Sequence, residues 1–117
     1  MTNWYKNTIG FIRNWWRQRR RYNNFTGVAF LEPHVDPAEE LHRRKLVIIG
    51  SRGNPKWLRF ACPCRCGEII ALNLMQSFTP RWRVEIHPNK TVSVVPSVDV
   101  VSCQSHFWIR ENRIHWV

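Results

Sequence analysis

Over the C-terminal two thirds of the chain, apolar and polar residues alternate in short bursts. "KLVIIG", "KWLRFAC", "EIIALNL", "RWRVEIH", "TVSVV", "HFWIR" and "RIHWV" are brief, rich in branched and aromatic side chains, and mostly of period two. In an extended chain every second side chain faces the same way, so this pattern suits strands with one buried face. Turn-forming clusters, "GSRGNP", "HPNK" and "REN" among them, separate the bursts. Seven such segments after Arg44 predict a mainly β domain over 45–117, a small antiparallel sheet of hairpins that is either barrel-like or split into two packed sheets.

The first 25 residues follow a different period. Trp4, Tyr5, Ile9, Phe11, Ile12, Trp15 and Trp16 recur at intervals of three and four, with Lys6, Arg13, Asn14 and Arg17 elsewhere around the axis. That spacing predicts an N-terminal amphipathic helix running into "RQRRRYNN". Residues 26–44 contain "FLEPHVDPAEELHRR", whose two prolines and several acids read as a connecting segment with a short helical turn. The chain has 117 residues, room for one domain with a limited core, so a metal or an oligomeric contact would help it considerably.

Charge changes the picture mainly at the N-terminus. The net charge is +10, from 18 basic and 8 acidic residues. Lys6, Arg13, Arg17, Arg19, Arg20 and Arg21 lie in residues 1–25 with no acid among them and account for +6 of it. A basic helix with tryptophans on one face suits a weak anchor on an anionic membrane surface or nucleic acid. It equally suits a helix that packs its aromatic face on its own domain. No apolar run approaches the length of a membrane span, and no secretory signal is present, so a cytoplasmic, reducing setting is expected.

In such a setting clustered cysteines read as metal ligands before they read as disulfides. Three of the four cysteines, Cys62, Cys64 and Cys66, stand at alternate positions in "FACPCRCGEII", and the fourth is Cys103 in "SCQSHFWI". Alternate residues of a strand are ~6.6 Å apart, whereas thiolates sharing a tetrahedral zinc lie only ~3.8 Å from one another. The first three can therefore converge only if the chain curls, and Pro63 and Gly67 bracket the segment where it would do so. With Cys103 they make a four-thiolate site that would join distant parts of the sheet. His106, three residues after Cys103, is a fifth candidate for four places. The plainer alternative, four small buried thiols, fits the clustering less well.

Two chemistries follow from how those places are filled. If the cysteines close the metal site, His106 is free to act as a base. Ser97 in "VPSVDV" could then return to it from a strand end, with adjacent Ser105 as second choice of nucleophile. Glu68 would orient the imidazole; Asp99, close to Ser97, could replace it but reads first as a solvated loop acid. If His106 takes a place on the zinc instead, a bound water would attack and Glu68 would be its base. A third, non-enzymatic reading is a basic zinc module that binds nucleic acid or an acidic protein surface.

Three ordered stretches, "GNPKWLRFACPCRCGEIIALNL", "PRWRVEIHPNKTVSVVPSV" and "CQSHFWIRENRIHW", resemble a bacterial domain-of-unknown-function peptidase family encoded beside ubiquitin-like conjugation genes. Its members carry a C-P-C-G-C-G-E element, a P-S-V element and a C-x-S-H-F element ending in a tryptophan strand. The resemblance spans Val47 to Trp116 and implies a zinc-containing serine-type peptidase that removes a ubiquitin-like protein from its precursor or conjugates. Carried over, its motifs fall on Cys62, Cys64, Cys66, Glu68, Ser97, Cys103, Ser105 and His106. Arg65 stands where members have glycine, and "DVVS" precedes Cys103 where members have an aromatic or basic residue and then glycine.

The N-terminal charge and aromatics lie outside all three motifs, which makes the two readings of that helix separable. For an anchor, deleting residues 1–21 abolishes retention on anionic liposomes or polyanions and spares hydrolysis. An insoluble or unfolded truncation marks a helix packed on the domain, because losing the burial of several aromatic side chains is costly.

Overall fold

The computed structural model describes residues 21–117, so the expected N-terminal helix lies almost wholly outside the described residues. Each alternating segment becomes a strand. In chain order the elements are β1 (Gly27–Leu31), α1 (Ala38–His42), β2 (Lys45–Ser51), β3 (Asn54–Ala61), β4 (Ile69–Asn73), β5 (Arg83–Ile86), β6 (Val92–Val100), β7 (Ser105–Arg110) and β8 (Arg113–Trp116). One sheet has the order β1-β2-β3-β4, with β1 parallel to β2 and the other pairs antiparallel. The second, β5-β6-β7-β8, is an antiparallel meander.

The alternation seen in the sequence sets which residues meet between the sheets. Leu46, Ile48, Leu58, Phe60 and Leu72 from the first sheet pack with Val92, Val94, Val98, Phe107 and Ile109 from the second. Phe25, Phe60, Phe107 and Trp116 form a chain of edge-on ring contacts across this core, with centroids 5.3, 6.2 and 5.4 Å apart. β2 is apolar on both faces because α1 covers its far side, where Leu41 packs on Val47 and Ile49. That double burial explains the uninterrupted "LVII".

The domain is mainly β, as expected, and takes the form of two packed sheets with hydrogen bonds at both seams. At one seam the Trp82 N–H donates to the Asn73 carbonyl at 2.8 Å. At the other, Asn24 bridges Arg113, and the N–H groups of Phe25 and Ile114 donate to the carbonyls of Asn112 and Asn23. The β7–β8 turn places Glu111 and Asn112 at φ 49° and 64°, the left-handed pair that a two-residue hairpin loop needs to match strand twist. Asn112 also ties this turn to the start of β6, its side-chain oxygen accepting from the Val92 N–H at 2.8 Å.

Two elements go beyond the sequence reading. The segment taken as connecting contains β1 as well as the short helix α1. β6 does not stop before Pro96 but continues to Val100, because Pro96 sits inside a register shift where no ladder bond depends on its missing N–H. No helix among the described residues is long and apolar enough to cross a membrane.

Phe60 is fully buried and touches both the Phe25 and Phe107 rings. Phe60→Ala should cost about 3–5 kcal/mol, a large share of the ~5–15 kcal/mol that holds a small domain together. Urea unfolding of the two proteins at equal metal loading measures it.

Candidate active site

The β3–β4 connection curls as the alternate cysteines require. The Cys62 N–H donates to the Glu68 carbonyl at 2.9 Å, and the Arg65 N–H closes a turn onto the Cys62 carbonyl at 3.0 Å. Arg65 and Gly67 take φ of 68° and 90°. The left-handed backbone at Arg65 gives a physical reason for glycine in the resembling sequences, since a side chain there crowds the backbone. Tyr22 braces the curl: its N–H donates to the Pro63 carbonyl at 3.0 Å and its hydroxyl to the Ala61 carbonyl at 2.8 Å. Burial pushes the Tyr22 phenol up to about 12, so it stays a donor. The Arg44 and Arg65 guanidiniums lie over its ring.

Cys103, in the turn between β6 and β7, meets this curl from the opposite sheet. The four sulfurs lie within 4.8 Å of one another, with Cys62 Sγ 3.4 Å from Cys64 Sγ and 3.7 Å from Cys103 Sγ. Those spacings match the ~3.8 Å separation of thiolates around a tetrahedral ion. The donor set therefore fits one metal ion. Burial pushes the Cys62 and Cys66 thiols up. Burial also opposes ionisation of Cys64, but hydrogen bonds from Ser105 and the other three thiols outweigh it and bring Cys64 down to about 7. The buried Ser105 hydroxyl is 3.1 Å from Cys103 Sγ, so Ser105 faces the sulfurs.

His106 follows Ser105 on β7 and so points to the other side of the sheet. There its Nε2 lies 2.9 Å from Ser97 Oγ. Ser97 is not at a strand end, as the sequence suggested, but within β6, where four steps from Val94 to Val98 answer only two from Ile109 to Phe107 on β7. Such a bulge re-aims side chains out of the regular ladder, and here it delivers the hydroxyl to the imidazole. Asp99 is the direct cross-strand partner of His106. Glu68 is exposed beside the cysteines, and its side chain makes no hydrogen bond to His106. The cysteine cluster does not include His106. A cleft of about 240 Å³ at the start of β7 is lined by Cys64, Cys103 and Ser105 as well as by Arg21, His106 and Trp116.

This pairing of a serine with a histidine behind a four-cysteine knot agrees with one family. The chain belongs to the BubE family. That family, described as a bacterial ubiquitination-like system serine protease, matches residues 33–117. Its span takes in every described strand from β2 to β8, the four cysteines, Ser97 and His106. Searches of curated proteins and of solved structures return no match. Serine protease chemistry is thus what the BubE description leads one to seek in this fold.

One pairing escaped the sequence reading. His87 Nε2 lies 2.7 Å from Ser93 Oγ, a second Ser–His contact. Ser93 Oγ also accepts from the Glu111 N–H at 2.9 Å, so this pair fastens the β5–β6 turn to the β7–β8 turn. Asn73 was likewise unmarked; its amide nitrogen donates to the carbonyls of Met75, Phe78 and Pro80 and shapes the chain between β4 and β5. Both are local polar residues that only their folded neighbours make legible.

Protein purified without added metal should contain one ion per chain by elemental analysis, and Cys103→Ser should lose it. Ser105→Ala should keep the ion but surrender it to a chelator roughly 10–100-fold more readily, the usual cost of removing a group that supports metal ligands.

Proposed function

We propose that this chain is a serine-type peptidase or isopeptidase that cleaves a ubiquitin-like protein from its precursor or conjugates, using Ser97 as nucleophile and His106 as general base. The observation that carries the reading is the 2.9 Å contact of Ser97 Oγ with His106 Nε2 in a chain of a serine-protease family. Serine needs such a base because its hydroxyl is hardly ionised near neutrality. His106 Nε2 takes the hydroxyl proton as Ser97 Oγ adds to the scissile carbonyl, then gives that proton to the leaving amine. Water enters by the reverse sequence, deprotonated by His106, and releases the acyl group from Ser97.

The orienting role expected of Glu68 falls more naturally to Asp99. The two strands hold Asp99 directly opposite His106 on the solvent face, whereas Glu68 belongs to the metal loop. The ubiquitin-like protein as substrate rests on the family's description and on the motif resemblance. We assign zinc to Cys62, Cys64, Cys66 and Cys103, since four thiolates at tetrahedral spacing are a closed structural zinc set. Bound there, zinc supplies cross-linking between the sheets. His106, on the opposite face with Ser97, remains free for proton transfer.

Ser97→Ala and His106→Ala should both retain zinc and lose cleavage of a ubiquitin-like fusion, each by about 10³-fold or more, with the double change costing little further. Asp99→Asn should slow turnover more than Glu68→Gln. A catalytic zinc would reverse the pattern: His106→Ala would lose metal, Glu68→Gln would be inactive, and Ser97→Ala would stay active. An inactive, zinc-loaded Ser105→Ala beside an active Ser97→Ala would move the nucleophile to Ser105.

A further inference from the structure

β5 and β6 part company beside Ser97. Their pairing runs from Ile86↔Val92 to Arg83↔Val95 and ends there. The residue before β5, Trp82, turns its N–H to Asn73 of the other sheet, so β5 does not continue along β6. β6 itself goes on to Val100, paired on its other side to β7 through Val98↔Phe107, Asp99↔His106 and Val100↔Ser105. Among the described residues, the flank of β6 beyond Val95 therefore has no strand beside it.

The ladder shows which backbone groups face that flank. The His106 carbonyl accepts from the Val117 N–H at 2.9 Å, so the polar groups of His106 point toward β8. Asp99↔His106 is then a non-hydrogen-bonded pair of the β6–β7 ladder, and the N–H and carbonyl of Asp99 point away from β7. The same parity holds at Ser97, whose carbonyl accepts from the Trp82 indole N–H at 3.3 Å on the β5 side. Beyond Val95, β6 pairs only with β7 among the described residues, and no turn or loop bond reaches the Asp99 N–H or carbonyl there. Asp99 thus offers one donor and one acceptor in the plane of the sheet, two residues from the hydroxyl that we assign as nucleophile.

We infer that this open flank of β6 is the docking edge for an extended segment of the substrate, which adds as a strand and carries its scissile carbonyl to Ser97. An extended polypeptide is the occupant because only a strand can exchange both an N–H and a carbonyl with Asp99. The Trp82 indole covers the Ser97 end of this flank, so the free edge is the stretch from Val98 to Val100, ~10 Å, long enough to order a short tail and too short for a folded face. It lies on the same strand as the hydroxyl, so a bond to Asp99 fixes the depth at which the tail stops. The substrate class is accordingly a flexible, unfolded terminus rather than a loop held inside a domain. This inference rests on the serine-peptidase reading of Ser97 and His106.

The test uses the full chain and a fluorogenic decapeptide chosen from sequences the protein cleaves in a proteome-derived peptide library. Each backbone N–H of the peptide is methylated in turn, and p-nitrophenyl acetate serves as a small ester that needs no strand pairing. Methylation of the one peptide N–H that meets the Asp99 carbonyl should lower kcat/KM by about tenfold or more, as expected from losing a hydrogen bond and adding a clash in the ladder. The positions on either side of it should change by less than about threefold, because their N–H groups point away from β6. Ester hydrolysis should depend on Ser97. A flat scan, or equal losses at consecutive positions, with Ser97-dependent ester hydrolysis intact, overturns strand addition and leaves the serine reading standing. Loss of Ser97 dependence for both substrates overturns both. In Ser97→Ala protein the Asp99 amide should exchange hydrogen rapidly when free and about tenfold more slowly with saturating peptide, each protected amide reporting a new bond. An Asp99 amide already protected without peptide means that the flank is covered, and the inference is wrong.

Discussion

Four sulfurs drawn to one point hold the rest of this structure in place. Cys62, Cys64 and Cys66 belong to the connection between β3 and β4, and Cys103 to the turn between β6 and β7, so the cluster ties one sheet to the other. Burial pushes the Cys62 and Cys66 thiols up, and close thiols have only weak attractions for each other. An ion held there would turn that cost into a cross-link, which a small two-sheet domain needs more than a large domain would. The curl that makes it possible is itself braced, by the turn from Cys62 to Arg65 and by Tyr22 beneath it.

The hairpin of β6 and β7 carries the consequence across the sheet. On its inner side Cys103 and Ser105 reach the sulfurs, while on its outer side Ser97, Asp99 and His106 come together in front of solvent. Strand alternation separates the two jobs at adjacent residues, Ser105 and His106. A turn anchored at Cys103 limits how far His106 can drift from Ser97, so an ion held by the four cysteines would bear on the geometry of that pair. The bulge in β6 adds the remaining displacement. It also leaves a proline inside a strand with no ladder bond lost, just where the neighbouring β5 turns away.

Arg65 shows how a local departure is absorbed. It occupies a left-handed backbone position that glycine fills in the resembling sequences, and its side chain leans over the Tyr22 ring. The stacking offsets part of the cost of a side chain at positive φ, an exposed cation–π contact being worth about 0.5–1 kcal/mol. The metal loop therefore keeps its curl with a less suitable residue, because burial of Tyr22 and the cysteines over-determines it.

Short branched and aromatic segments determined which seven stretches are strands, and alternation determined the buried face of those covered on one side, since burial on one side of a pleated chain requires that pattern. The cysteine spacing determined that the chain must curl at Pro63–Gly67, because thiolates in a straight strand cannot share an ion. The sequence also brought Ser97 and His106 forward together as candidates, through their motifs. It could not determine β1, a half-buried strand that depends on its parallel neighbour β2, nor the extension of β6 through Pro96, which local chemistry argues against. Nor could it show that Ser97 and not Ser105 meets His106, or that Asp99, set second to Glu68 in the sequence, lies across from it. Those placements depend on which face of β7 each residue meets and on a two-residue register shift, and both are set by pairing between strands distant in the chain. Pairing of that kind is decided by the whole core, so only the tertiary structure places Ser105 on the sulfurs and Ser97 on the imidazole.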